Sequence, residues 1–268
     1  MKVLAYDNDH DADGKNASVV VWKKSCEAYG WDYEIYGNKD RWIGFCQRGN
    51  RISKEIIRLI EKYGEDLIIV VTDVRDCVAN RTPDGMIDRF KSFNARIVFG
   101  CEMACCVNPM HEFPPGSYIQ NGKRINRTYH SNENKEKDYS KEWISEMKAK
   151  CDIKNKWFRS LNAGMYIGYA TDIKRMIDLK KADNREDDQA LWTELFISNQ
   201  DIIKLDYDQV LLSNCNPWNK KSGFFFSYDE SRKMWKNEKT ETYPYFVHAP
   251  GAKADGYKSY HKLAEKWR

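Results

Sequence analysis

Apolar residues arrive in short unbroken runs, separated by polar stretches with a helical rhythm. Val3 to Tyr6, Asp32 to Tyr36, Leu67 to Val71 and Ala95 to Phe99 are strand-length segments rich in β-branched and aromatic residues. Asn16 to Tyr29 and Pro83 to Phe93 read as helices between them. Ser53 opens a further helix with Ile56, Ile57, Leu59 and Ile60 as its buried stripe, and Arg41 to Asn50 before it reads as a loop. A run without polar alternation, such as Leu67 to Val71, suits a strand covered on both faces. The alternation of strand and helix over residues 1–100 predicts a doubly wound, parallel α/β sheet in this half.

Beyond residue 110 the pattern changes. Gln120 to Lys150 is dense in Lys, Asn and Glu and reads as a solvated insertion ending in a helix from Lys141 to Lys150. Leu161 to Ala170 is an apolar strand broken by Gly164 and Gly168, which signals close approach of the backbone to a ligand or simply close packing. A helix is expected from Arg185 to about Phe196. Ile202 to Leu205 and Val210 to Leu212 are short strands, and Phe224 to Phe226 belongs to a hairpin. Tyr245 to Lys253 closes the pattern before a basic tail.

Composition narrows the setting. The chain has 268 residues, 41% hydrophobic and 31% charged, which is ordinary for a folded soluble protein. A net charge of +4 permits a nucleic-acid partner without demanding one. Aromatics reach 13%, enough to supply binding surfaces as well as a core. The eight cysteines are scattered and form no secreted disulfide framework. No apolar signal core follows Met1 and no run has membrane-spanning length, so the expected setting is cytoplasmic, with no membrane partner.

The candidate chemistry gathers at the end of the central run. Asp73 and Asp76 follow Val71 and Thr72, and open α/β sheets bind ligands outside the carboxyl ends of their strands. Two carboxylates there suit a hard divalent cation that also takes phosphate oxygens. Asp73 as a simple turn cap is the competing explanation. Asp7 to Gly14 resembles the start of an EF-hand loop, but with Asp9 as the first position the twelfth is Val20 rather than Glu. A strand-to-helix loop fits better, and a metal-dependent phosphohydrolase using the Asp7 to Asp13 carboxylates is one alternative function. Cys101, Cys105 and Cys106 lack the paired Cys or His partners of a zinc site. Asp187 and Asp188 open a helix, where acidic residues are favoured anyway.

Taken in order, these pieces resemble a known family. Asp13-Gly14 with Tyr36-Gly37, Thr72-Asp73-Val74-Arg75-Asp76 and Ala95 to Phe99 followed by Glu102 and Cys105 come first. Leu161 to Gly164 with Ile167 to Ala170, Asp187-Asp188-Gln189, Leu205-Asp206-Tyr207 and Val247-His248 with Gly251 and Lys253 follow. Over nearly its whole length the chain resembles the glycosyltransferase domain of the procollagen lysyl hydroxylase/glycosyltransferase family, kin to collagen galactosyltransferases and other GT-A enzymes. Arg75 stands where that family usually carries an aromatic that stacks on uracil.

The resemblance implies a GT-A α/β fold: a Rossmann-like, mostly parallel central sheet flanked by helices, with a smaller antiparallel acceptor-side region. It implies one domain over residues 1–268, with a nucleotide-sugar half to about residue 110, then an acceptor-side half and a closing His loop. It implies that Asp73, Asp76 and His248 hold Mn2+ or another divalent cation against the diphosphate of a UDP-sugar. Tyr6, Thr72, Val74, Arg75, Gly251 and Lys253 would contact the donor, and the close approach of Gly164 would leave room for the sugar. Asp187, Asp188 and Gln189 would be the catalytic residues on the sugar side. The implied acceptor is a hydroxyl, on a hydroxylysine-containing protein or on a hydroxymethylated DNA base. In the second case the enzyme would be viral or bacterial, and Lys123, Arg124, Arg127, Lys135, Lys137, Lys220 and Lys221 would meet phosphates while Trp157 or Trp218 supports a flipped base. A non-catalytic nucleotide-sugar binder is the remaining alternative.

Overall fold

The computed structural model describes residues 1–9, 17–103, 117–120, 123–126, 157–180, 182, 184, 187–215, 224–250 and 255–267. The elements run β1 (Lys2–Tyr6), α1 (Ala17–Ala28), β2 (Tyr33–Tyr36), α2 (Cys46–Tyr63), β3 (Ile68–Thr72), β4 (Cys77–Ala79), α3 (Met86–Lys91) and β5 (Ile97–Glu102). They continue with β6 (Ser117–Gln120), β7 (Lys123–Asn126), β8 (Ser160–Tyr169), α4 (Ala170–Lys180), α5 (Asp188–Ser198), β9 (Ile203–Asp206) and β10 (Leu212–Asn214). β11 (Phe226–Asp229), β12 (Met234–Asn237), β13 (Phe246–His248) and α6 (Asp255–Ala264) complete the order.

One sheet takes strands from both halves of the chain, in the order β2-β1-β3-β8-β5-β10-β13-β4, with β9 beside β5. Both of its faces are covered. On β1, Leu4 and Tyr6 pack in one apolar cluster with Ile52, Ile56 and Leu59 of α2. Val3 and Ala5 pack in the other with Val19, Trp22 and Cys26 of α1. Alternate residues of a strand point to opposite faces, so a doubly covered strand must be apolar throughout. That is why all five residues of β3 are buried and why its run lacks a polar member until Thr72.

The parallel expectation for residues 1–100 needs a correction. β1 pairs in parallel with β2 and β3, but β3 and β5 are not neighbours. β8 from the second half lies between them, antiparallel to both. β4 is antiparallel to β13 at the edge. The central sheet is therefore mostly parallel with two reversed strands. Two small antiparallel pairs, β6 with β7 and β11 with β12, lie apart from it.

α2 also differs from the expected Ser53 start, for it begins at Cys46. Ser53 lies inside the helix and donates to Asp178 Oδ1 at 3.3 Å. The buried stripe is Ile52, Ile56 and Leu59, spaced by four and three residues, while Ile57 is 47% exposed on the opposite side. The expected helix over 141–150 lies outside the described residues, as do Cys105 and Cys106; Cys101 is buried.

Candidate metal centre

The carboxyl ends of β3 and β13 meet at one edge of the sheet. Asp73 follows β3, and its N–H donates to Gly164 O at 2.7 Å, which ties it to β8. Asp76 immediately precedes β4. β13 lies between β4 and β10, in a register that sets His248 opposite Cys77 on one side and Asn214 on the other. Ala249 N–H donates to Asp76 O at 2.8 Å and closes the corner. One ligand atom each from Asp73, Asp76 and His248 then lie within 4.8 Å of one another.

The tautomer of His248 follows from its neighbours. Asn162 Oδ1 accepts from Gly164 N–H at 2.9 Å, and Asn214 Nδ2 donates to Cys101 O at 2.9 Å. Both amides are thereby fixed with their oxygens facing His248 Nδ1, at 3.1 Å and 2.8 Å. Two acceptors require that Nδ1 carry the proton. Nε2 faces the acids, 3.2 Å from Asp76 Oδ1 and 3.5 Å from Asp73 Oδ2. Nε2 is buried and makes no hydrogen bond among the described residues. A buried ring nitrogen without a hydrogen bond, set beside two carboxylates, matches the donor set of a divalent-cation site. Outer amides that fix the ring's tautomer are a recurrent feature of metal-binding histidines.

Gly164 packs beneath this ring. A Cβ there would lie 2.3 Å from His248 Cε1. The room left by Gly164, expected for the sugar, is filled by the imidazole.

On the other side of Asp73 stands Arg48, from the first turn of α2. Its guanidinium pairs with Asp73 Oδ1 and Asp188 Oδ2 and donates to Ala163 O at 3.2 Å. Burial pushes the Asp188 carboxyl up, and the Arg48 guanidinium opposes that shift. Asp187 caps α5 by accepting from Gln189 N–H at 2.9 Å and Ala190 N–H at 3.3 Å. Gln189 donates from Nε2 to Glu102 Oε1 at 2.7 Å and accepts from Ala163 N–H at 3.2 Å. Asp188 and Gln189 are thus joined to the metal corner through Arg48 and β8.

The other expected donor contacts divide by position. Thr72 is buried and accepts from Trp22 Nε1 at 3.1 Å, and Val74 packs in the core, so neither side chain faces the edge. Tyr6 lies against Gly37, where a Cβ would meet its ring at 2.2 Å, and its ring centroid is 6.1 Å from that of Trp42. Arg75 is held by Asp7, Nε to Oδ2 at 2.6 Å and Nη2 to Oδ1 at 3.2 Å. That pair occupies the first carboxylate of the phosphohydrolase alternative. Gly251 and Lys253 lie outside the described residues. Arg48, Asn162 and Asn214 were not expected as members of the site: Arg48 and Asn214 stand in no local motif, Asn162 stands unremarked in the Leu161 to Gly164 segment, and sheet register and helix packing bring the three together.

The chain as a whole is similar to proteins of one known family. A family model described as the PLOD GT domain matches residues 12–124 and 145–264. An uncharacterized protein of Acanthamoeba polyphaga mimivirus is 26% identical over 253 residues, which is 90% of this chain and 44% of the viral protein. The multifunctional procollagen lysine hydroxylase and glycosyltransferase LH3 of Homo sapiens is 23% identical over 256 residues, 90% of this chain and 29% of the human protein. The chain therefore spans less than half the length of these relatives. A solved glycosyltransferase involved in glycosylation of the major capsid of PBCV-1 superposes with a TM-score of 0.47 at 11% identity, covering 98% of this chain and 97% of the other.

Proposed function

The chain belongs to the PLOD GT domain family, and from that premise we propose that it transfers a hexose from a UDP-sugar to a hydroxyl acceptor, with a divalent cation, manganese first, held by Asp73, Asp76 and His248. The observation that carries this reading is the buried, unpartnered Nε2 of His248 beside two carboxylates. A cation bound there would act as a Lewis acid on the diphosphate as negative charge develops on the leaving group. The protein's own contribution is positional. Asn162 and Asn214 hold the His248 lone pair toward the donor site, and Arg48 orients Asp73 while keeping Asp188 paired.

Asp187, Asp188 and Gln189 belong to the sugar side on this reading, one of them orienting the sugar or acceptor hydroxyl or acting as base. Asp187 is anchored by its helix cap, Asp188 by Arg48 and Gln189 by Glu102 and β8, so each would act from a fixed position. Tyr6, Gly251 and Lys253 would line the donor site, with Thr72 and Val74 contributing backbone groups. Residues 1–268 would form one domain on this reading, which a sheet drawing on both halves supports. The names of the procollagen-lysine relatives favour a hydroxylysine-type acceptor over a hydroxymethylated DNA base. Cys26, Cys77 and Cys215 are free thiols, which suits a reducing, cytoplasmic setting, and the mimivirus relative favours a viral source. Among the described residues no helix is long and apolar enough to cross a membrane.

The test is UDP release from a panel of UDP-hexoses, with and without Mn2+, using a hydroxylysine peptide and hydroxymethylated duplex DNA as acceptors. Transfer is expected with Mn2+, abolished by chelation, and lowered at least about a hundredfold by Asp76→Ala, since loss of even an outer-shell partner costs about 10–100-fold. Full metal-dependent transfer by Asp76→Ala would refute the site. Transfer to DNA that falls steeply with salt would reassign the acceptor.

A further inference from the structure

We propose that Arg48 is a counter-ion shared between Asp73 and Asp188, and that Asp188 thereby sets the cation affinity of a site it does not ligate. The inference rests on the reading of Asp73, Asp76 and His248 as cation ligands. It concerns how that site is tuned.

The Arg48 side chain is only 12% exposed, and its guanidinium bridges the two carboxylates and the Ala163 carbonyl. Asp73 is divided by this contact: Oδ1 belongs to Arg48, while Oδ2 points toward His248 Nε2. Arg48 therefore fixes the rotamer of Asp73 with one oxygen directed at the cation position. It also opposes the cation, because its charge cannot be shed in a protein. A single guanidinium that serves two carboxylates gives each a share of its charge. Asp188 takes one share and so lightens the load on Asp73. Asp188 is buried in the first turn of α5, with the Arg48 guanidinium as its ion-pair partner.

Removing the charge of Asp188 should concentrate the guanidinium on Asp73 and weaken cation binding. Removing Arg48 as well should abolish that effect. The readout is Mn2+ affinity of the full chain without donor, from the electron paramagnetic resonance signal of free Mn2+, with folding followed by thermal unfolding. Asp188→Asn is expected to weaken Mn2+ binding about five- to tenfold, within the range seen for directly coupled neighbours. In an Arg48→Met background the same change should alter affinity less than about twofold, because the coupling is gone. A merely structural role for Asp188 would give equal losses in both backgrounds, and that result, or no loss in either, overturns the proposal. If Arg48→Met does not fold, Arg48→Lys replaces it. Its compact ammonium cannot fork across both acids, so the Asp188→Asn effect should shrink; an undiminished effect overturns the proposal equally. Absence of Mn2+ binding by the unaltered chain, or binding indifferent to Asp76→Ala, would instead reject the metal site itself.

Discussion

At the scale of single residues, the site depends on small spaces and fixed amides. Gly164 is where it is because the His248 ring lies on its Cα, with 2.3 Å between an added Cβ and Cε1. The ring has little freedom to withdraw, since Nδ1 is held by Asn162 and Asn214 and its backbone is paired on both sides. Gly164→Ala should therefore displace the imidazole, cost about 1–3 kcal/mol through overpacking and weaken Mn2+ binding at least about tenfold. Calorimetric Mn2+ titration and urea unfolding check both effects; unchanged binding would show that the ring is not a ligand. Asp73 and Asp76 were legible in the sequence because they stand together at the end of one apolar run. Asn162 and Asn214 were not. Their meaning depends on a strand register that brings distant residues to one nitrogen.

At the scale of elements, strands buried on both faces were legible, while the start of α2 was not. Gly49 and Asn50 look like breakers, and a mid-helix Gly does cost about 0.5–1 kcal/mol against Ala. Tertiary bonds override that preference: Gln47 accepts from Ile43 N–H at 2.9 Å and donates to Arg41 O, and Asn50 donates to Ala182 O at 2.9 Å. The early start is what places Arg48 on a helix facing the site. A second element depends on a single acid. Asp206 ends β9 and accepts from the N–H groups of Val210, Leu211 and Leu212 at 3.0, 2.6 and 2.9 Å, shaping the turn into β10. Burial nonetheless pushes its carboxyl from 3.8 up to about 6. The native state then holds this proton more tightly than the unfolded chain. The associated stability is present below about pH 4 and lost as pH rises through about 6, up to about 3 kcal/mol for a two-unit shift. Urea unfolding of the wild type and Asp206→Asn from pH 4 to 7 should show the difference between them falling along that limb. A pH-independent difference would mean that Asp206 does not titrate there.

At the scale of the whole molecule, the alternation of strand and helix predicted the sheet but not how the two halves interlock. Local pattern identifies β8 as a strand; nothing local says that it enters antiparallel between β3 and β5. That insertion has an energetic consequence. β8 hydrogen-bonds to a strand of the first half on each side, with Val71 opposite Tyr166 and Phe99 opposite the same residue. Tyr166 in turn stacks on Phe99 at 4.7 Å, and Trp192 of α5 lies 4.8 Å from Phe99. This fully buried aromatic group joins residues from both sides of position 110, so the halves should not unfold independently. Phe99→Ala removes its centre and should cost about 3–5 kcal/mol. If the halves are one cooperative unit, amide protection in β1 and β3 should fall by the same free energy as in β8 and β9. Protection retained in β1 and β3 while β8 and β9 open would show two separable units, and the Asp73–His248 corner would then have to assemble across their boundary rather than within one fold.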